Sequence, residues 1–293
     1  MTTTPRMVNA WIFLNEDEPP NTTYSDPSSC YQSLITRDVY GAVDVLYLCF
    51  ATTVPVGPHT VPSPPQAPAG SYTLQMGAAS HPKHLTNQDY MDWIIRDARV
   101  TNPEIRIAMT LNWGDGALLS AIFDNSPFPP EQAAEHFATN LVAYLRHYGL
   151  DGFDLDWESP LCDDTTQEQF RLLVIAIGSH FEAQTDRKYI LTLSPAAVGH
   201  LDAPAVNRYM DFINLQLYSG FTDPAAFTAA GVDPGLFAYG AKFESSYQTA
   251  KGAYDDNTAH YGYSIFTCWR LNSDNYAFEQ TQQKALHALV FPD

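Results

Sequence analysis

The chain has 293 residues, of which 45% are hydrophobic and 13% aromatic, so it can bury a sizeable core and is neither collagen-like nor of low complexity. Its 33 acidic residues outnumber its 15 basic residues and leave a formal net charge of −18 at pH 7. A surface with this charge repels polyanions, so we expect no nucleic-acid partner.

Eight short apolar runs along the chain predict β-strands. They cover residues 8–14, 43–51, 106–112, 152–158, 189–194, 212–218, 236–241 and 262–268. Amphipathic stretches predict helices over residues 88–100, 131–148, 167–184 and 275–289. The connections after the fifth, sixth and seventh strands predict only short helices. Eight strands alternating with helices favour the α/β class and a closed (β/α)₈ barrel, formed by residues 1–293 as a single domain.

Residues 52–85 depart from this alternation because they carry seven of the chain's 21 prolines. A proline-rich linker between two domains is one interpretation. Neither half of the chain could close a barrel alone, so we favour a long loop after the second strand. Such a loop would rim the face on which barrel proteins build their sites.

The cysteines and histidines show no spacing typical of metal ligands. The cysteines are Cys30, Cys49, Cys162 and Cys268. We therefore expect neither a metal nor a cofactor. No apolar stretch reaches the roughly 18 residues of a membrane span, and the first residues lack a signal-peptide pattern. We expect a monomer without a membrane partner, either cytoplasmic or secreted through a signal outside this sequence.

Three acids alternate along the fourth predicted strand, namely Asp154, Asp156 and Glu158. Successive side chains on a strand point to opposite faces, so these acids share one face and the apolar residues between them share the other. If the apolar face packs on helices, the acids point into the barrel and climb about 6.5 Å per step towards its C-terminal mouth. An exposed strand with alternating surface acids would instead leave Phe, Leu and Trp poorly packed.

Two chemistries fit three crowded carboxylates. In a proton relay the acids raise one another's pKa, so that Glu158 at the top stays protonated near neutral pH and donates to a leaving group. In a metal site the same oxygens would hold Mg²⁺ or Ca²⁺. The neighbouring Trp157 and the lack of basic residues for a phosphate favour the relay.

The motif Asp-x-x-Asp-x-Asp-x-Glu at residues 151–158 resembles the fourth-strand signature of glycoside hydrolase family 18, the chitinases and endo-β-N-acetylglucosaminidases. The runs 43–51, 190–195 and 213–218 are similar to the family's second, fifth and sixth strands. The resemblance implies a retaining hydrolase of β-1,4-linked N-acetylglucosamine in chitin or chitooligosaccharides. In this family the substrate's own N-acetyl oxygen attacks the anomeric carbon.

The resemblance also implies roles for four catalytic residues. Glu158 would act first as acid and later as base, and Asp156 would orient and stabilise the acetamido nitrogen. Asp154 would share a proton with Asp156, and Tyr218 would hydrogen-bond the acetamido oxygen. The implied substrate-binding residues are Phe50, Trp113, Asn214, Gln216 and Trp269.

Several positions depart from the family pattern. The third strand reads Thr-Leu-Asn-Trp-Gly at 110–114 where the family commonly has Ser-x-Gly-Gly, and Ser219 stands where an acid often follows the sixth-strand tyrosine. Trp269 is favoured as the aromatic floor of the sugar site, with Phe266 as the alternative. About twenty residues separate the last two strands. This is too few for an inserted α+β domain and predicts an open groove.

Three rival interpretations remain at the level of sequence. Glu244 follows the seventh strand, where many barrel glycosidases carry a nucleophile, although Trp157 stands where those enzymes usually have asparagine. The same acids would serve an endo-β-N-acetylglucosaminidase acting on N-glycans. A chitinase-like protein that binds carbohydrate without hydrolysing it is the rival of another class.

Overall fold

The computed structural model describes residues 6–16, 18–19, 21–79, 81–243 and 262–292, within which eight parallel strands close into a barrel. The strands are β1 (Met7–Phe13), β2 (Val45–Pro55), β3 (Tyr72–Met76), β4 (Arg106–Leu111), β5 (Gly152–Leu155), β6 (Ile190–Leu193), β7 (Phe212–Leu215), β8 (Phe237–Lys242) and β9 (Ile265–Trp269). Neighbours pair in the order β1-β9-β8-β7-β6-β5-β4-β2, and β1 also pairs with β2. The predicted barrel is confirmed, and each predicted strand overlaps one barrel strand.

Helices cover the outside of the barrel. They are α1 (Cys30–Thr36), α2 (Asn87–Thr101), α3 (Gly116–Asp124), α4 (Pro130–Tyr148), α5 (Leu161–Asp164), α6 (Gln167–Glu182), α7 (Ala203–Tyr209), α8 (Pro224–Ala229) and α9 (Tyr276–Val290). The four predicted helices are confirmed as α2, α4, α6 and α9. The connections after β6 and β7 carry short helices, as predicted, whereas α1, α3 and α5 were not predicted. The short helix predicted after β8 falls on residues 244–261, outside the described residues. No helix among the described residues is long and apolar enough to cross a membrane.

The proline-rich segment contains a strand that the sequence did not predict. Strand β3 pairs antiparallel with the extended end of β2, from Ala51 opposite Met76 to Pro55 opposite Tyr72. Five of the seven prolines lie in the loop that joins the two strands, Pro55 ends β2 opposite Tyr72, and Pro82 follows β3. The segment is therefore a hairpin attached to the barrel by main-chain hydrogen bonds, rather than a structureless loop.

Alternate residues of the barrel strands contribute to two separate apolar layers. On β1, Trp11 belongs to the cluster inside the barrel, whereas Ala10 and Ile12 belong to the larger cluster between strands and helices. On β2, Tyr47 and Cys49 face the interior in the same way. This period-two division decides which side chains can reach a site in the barrel mouth.

Candidate active site

A tight turn after α4 leads into the acidic strand β5. Gly149 ends α4 with a φ of 69°, a conformation that glycine adopts without strain. Asp151, the first acid of the motif, lies at the far end of β5 from the mouth. Its carboxylate pairs with Arg99 at 2.9 Å and with Arg187 at 3.1 Å, and accepts the Ile107 N–H at 2.9 Å. Asp151 therefore anchors the strand and is not part of the cavity described below.

The three alternating acids point into the barrel. Asp154 and Asp156 are buried, and Glu158 is half-buried. The apolar residues between them are buried in the layer between strands and helices, and they are Phe153, Leu155 and Trp157. The structure differs from the predicted strand in one respect. Strand β5 ends at Leu155, so Asp156 and Glu158 lie beyond its last paired residue, at the barrel mouth.

Asp154 lies deepest and is held by hydroxyl groups of the neighbouring strand. Thr192 Oγ1 donates to its Oδ1 at 2.6 Å, and Ser194 Oγ lies 3.0 Å from each carboxylate oxygen. Burial raises the pKa of Asp154 to about 6, although these hydroxyl groups oppose the shift by stabilising the charged form. A carboxyl group with a pKa of about 6 therefore lies directly beneath Asp156.

We expect an Asp154→Asn variant to gain stability relative to the wild type as the pH rises. A carboxyl whose pKa is raised in the folded state favours folding below its unfolded pKa, and that contribution is lost as the pH climbs through the folded value. Between about pH 4 and pH 6 the shift corresponds to about 3 kcal/mol of unfolding free energy. Urea unfolding of both proteins at several pH values measures how the difference in their unfolding free energies changes with pH. A constant difference between the two proteins across this range would contradict the prediction.

The upper two acids share one amide partner. Gln216 Nε2 donates to Asp156 Oδ1 at 3.1 Å, to Glu158 Oε1 at 2.8 Å and to the Ser194 carbonyl at 3.1 Å. Burial raises the pKa of Asp156 well above its usual value, and the charges of Glu158 and Asp154 raise it further. The raised pKa favours the protonated form of Asp156 beside Glu158.

These carboxylates form the floor of a cavity of ≈ 410 Å³ at the barrel mouth. Eight of the nine site residues predicted from the sequence line it, and only Asp154 lies beneath. The eight are Phe50, Trp113, Asp156, Glu158, Asn214, Gln216, Tyr218 and Trp269. The Tyr218 hydroxyl donates to Gln216 Oε1 at 3.2 Å, which links it to both acids. The cavity thus combines acids on its floor with aromatic rings on its sides.

The structure separates the two candidates for the aromatic floor. Trp269 lines the cavity, whereas Phe266 is buried on the outer side of the sheet. Trp113 is 44% exposed at the mouth, where its ring is available for contact. The alternative nucleophile Glu244 lies outside the described residues.

The amide of Asn214, another lining residue, is engaged with the barrel interior. Its Nδ2 lies 3.3 Å from the Tyr47 hydroxyl and 3.2 Å from Ser194 Oγ, and Thr267 Oγ1 donates to its Oδ1 at 2.6 Å. Ser194 in turn bonds Asp154. Asn214 therefore connects the acids to the barrel interior.

Several lining residues were missed by the sequence analysis. Trp11 and Phe13 on β1 form part of the cavity wall, as do Gly240 on β8 and the strongly exposed Phe221. Trp11 and Phe13 share one face of β1, so the period-two pattern could have placed them inside the barrel. No local pattern marks Gly240, where a Cβ would clash with the Leu215 carbonyl oxygen.

The described residues contain no group of three or more histidine, cysteine, aspartate or glutamate side chains placed to hold a metal ion. The four cysteines are all buried, and none of them forms a disulfide. Asp156 and Glu158 both accept a hydrogen bond from the Gln216 amide. A cation bound between the two carboxyl groups would break these hydrogen bonds. The geometry of the acids suits proton transfer.

Comparison with known proteins identifies a matching family and several relatives. A family model described as "Glycosyl hydrolases family 18" matches residues 42–283. An endochitinase from Brugia malayi is 37% identical over 100 residues, a match that covers 33% of this chain and 19% of that protein. The chain thus matches less than two thirds of the length of this relative.

Solved structures show the same fold at low identity. A mutant class V chitinase from Nicotiana tobaccum in complex with NAG4 has a TM-score of 0.66 and 13% identity, over 98% of this chain and 100% of that one. A chitinase-like agglutinin from Robinia pseudoacacia has a TM-score of 0.64 and 12% identity, over 95% and 99%. The fold is therefore shared by a chitinase and by a protein described as an agglutinin.

Proposed function

Since the chain belongs to glycosyl hydrolase family 18, we propose that it is an active chitinase that hydrolyses β-1,4-linked N-acetylglucosamine in chitin or chitooligosaccharides. The observation that carries the proposal is the arrangement of Asp156 and Glu158, joined through the Gln216 amide on the floor of an aromatic-walled cavity. A protein that only binds sugar has no need of a buried carboxyl next to a half-buried one, because removing these groups from water costs free energy.

In the first step the substrate supplies its own nucleophile. The carbonyl oxygen of its 2-acetamido group attacks the anomeric carbon as the glycosidic bond breaks, and Glu158 donates a proton to the departing oxygen. Asp156 orients the acetamido N–H and stabilises the positive charge that develops on the resulting oxazolinium ring. Tyr218, at the cavity wall, donates a hydrogen bond to the acetamido oxygen.

In the second step the ring is opened by water. Glu158, now a carboxylate, takes a proton from the water as it attacks the anomeric carbon, and the acetamido group is restored. Two successive inversions at this carbon retain the β-configuration. Asp154, beneath Asp156, shares a proton with Asp156, so the charge on Asp156 can change between the two steps.

Product analysis tests which of the candidate substrates the protein cleaves. We expect the wild-type protein to cleave chitohexaose into shorter oligosaccharides whose newly formed reducing ends are β-anomers, and to leave a high-mannose glycoprotein intact. Mass spectrometry identifies the products, and proton NMR at early times identifies the anomer.

The other outcomes distinguish the rival functions. Release of high-mannose glycan with no cleavage of chitohexaose would indicate an endo-β-N-acetylglucosaminidase. Binding of chitohexaose without cleavage would indicate a carbohydrate-binding protein. An α-anomer as the first product would contradict the retaining mechanism. It would not contradict the assignment of chitooligosaccharides as the substrate.

A further inference from the structure

An ion pair adjoins the aromatic wall of the cavity, which we define as Phe13, Phe50 and Trp269. The three ring centroids of this wall are 5.8 to 6.2 Å apart. The Arg270 guanidinium carbon lies 5.5 Å from the Phe13 centroid and 5.4 Å from the Trp269 centroid. Arg270 Nε is 2.5 Å from Glu16 Oε2. One cation therefore contacts two of the three rings.

The backbone beneath this wall is fixed independently of Arg270. The Asn272 side chain accepts the Phe13 N–H at 3.0 Å and donates to the Phe13 carbonyl at 2.8 Å, and Leu271 N–H donates to the Trp11 carbonyl at 3.1 Å. These bonds hold the ends of β1 and β9 together. They fix the main chain but do not themselves set the side-chain torsions of Phe13 and Trp269.

The ion pair is more enclosed than comparable pairs on the surface. The Arg270 and Glu16 side chains are 18% and 13% exposed, whereas Arg208 and Glu182 form a surface pair that is 59% and 53% exposed. An enclosed guanidinium is attracted more strongly to an aromatic face, because less water competes for its charge. Glu16 neutralises this charge and limits the positions that the guanidinium plane can take.

We propose that Arg270, held by Glu16, is a positioning residue that sets the ring planes of Phe13 and Trp269 before substrate arrives. The wall is then ready to receive the apolar face of an N-acetylglucosamine unit. The identity of this sugar rests on the proposed function. Preformed rings reduce the entropy lost on binding, so the pair acts on KM. It does not contact the reacting atoms, so it has little effect on kcat.

The first test observes Trp269 without any substrate. In ¹⁵N-labelled protein the five tryptophans give five indole N–H signals, and a Trp269→Phe variant assigns the relevant one. Arg270→Lys keeps the charge but loses the planar guanidinium. We expect this variant and Glu16→Gln to shift or broaden the Trp269 signal and to leave that of Trp93 on α2 unchanged.

The second test measures kinetics on chitohexaose. We expect Arg270→Lys and Glu16→Gln to raise KM about tenfold and to change kcat less than about twofold. The matched controls are Arg208→Lys and Glu182→Gln, which alter an ion pair of the same chemistry far from the cavity. We expect these controls to leave both the Trp269 signal and KM unchanged.

Two results would overturn the proposal. Lower melting temperatures for the Arg270 and Glu16 variants, with an unchanged Trp269 signal and an unchanged KM, would show that the pair serves only stability. The same fall in kcat and the same rise in KM for every variant, including the two controls, would show a general disturbance of the protein. If the wild-type protein does not cleave chitohexaose, the proposed function fails, and the indole signals still decide whether Arg270 positions Trp269.

Discussion

Replacing Glu158 by glutamine is expected to lower kcat on chitohexaose by about 10³-fold and to leave the dissociation constant within a few-fold of the wild-type value. Glutamine has nearly the same shape as glutamate but has no proton to give to the leaving oxygen and cannot accept one from water. Steady-state assays give kcat, and isothermal titration with the inactive variant gives the dissociation constant. This is the largest effect that we predict for a single substitution.

The matched control for this variant is Glu104→Gln, which makes the same chemical change in an exposed turn before β4, at the opposite end of the barrel from the mouth. We expect it to retain full activity. Retention of more than about a tenth of the activity by Glu158→Gln would assign proton transfer to another residue. Parallel losses of binding and of folded structure would instead indicate that the substitution disturbs the site.

The Asp156→Asn variant is expected to lose about 10² to 10³-fold in kcat/KM on an aryl chitobioside. Asparagine can still hydrogen-bond the acetamido group, but it carries no negative charge to stabilise the oxazolinium ring. Burial and the adjacent carboxylates raise the pKa of Asp156, so its ionised form costs stability at high pH. We therefore expect the variant to melt at no lower temperature than the wild type at pH 7.

A substrate that lacks the acetamido group gives a sharper test of the role of Asp156 than the substitution does. An aryl cellobioside has a 2-hydroxyl group in place of the acetamido group, and we expect the wild-type protein to leave it uncleaved. Asp186→Asn, a surface change at a residue paired with Arg146, serves as the matched control and should keep full activity. Equal cleavage of the chitobioside and the cellobioside would rule out participation of the acetamido group.

The acidic strand was predictable because its pattern is local. The alternation of Asp154, Asp156 and Glu158 with three apolar residues allowed one orientation in a barrel, and the structure has that orientation. The end of β5 at Leu155 was not predictable. Where pairing stops depends on hydrogen bonds offered by the neighbouring strands β4 and β6, which lie far away in the sequence.

The hairpin after β2 shows the limit of composition as a guide. Seven prolines in residues 52–85 indicated a loop, yet Tyr72–Met76 forms a strand on the edge of β2. The partner residues that stabilise it are supplied by the extension of β2 beyond the predicted strand, and no property of residues 72–76 alone signals their presence. Helix α1 was missed for a similar reason, since its seven residues are too few for a clear periodic pattern.

The amino-acid sequence therefore sufficed for the barrel class, the family and the order of the acids along their strand. The last two depend on a motif of eight residues, and the barrel class depends on the order of strands and helices along the chain, which the sequence shows directly. Barrel closure was needed to bring Gln216 onto Asp156 and Glu158, about 60 residues away in the chain, and to pack Arg270 against Phe13. Contacts of this kind depend on the stagger and spacing of strands around the ring. That geometry is a property of all eight strands at once and is not encoded in any single segment.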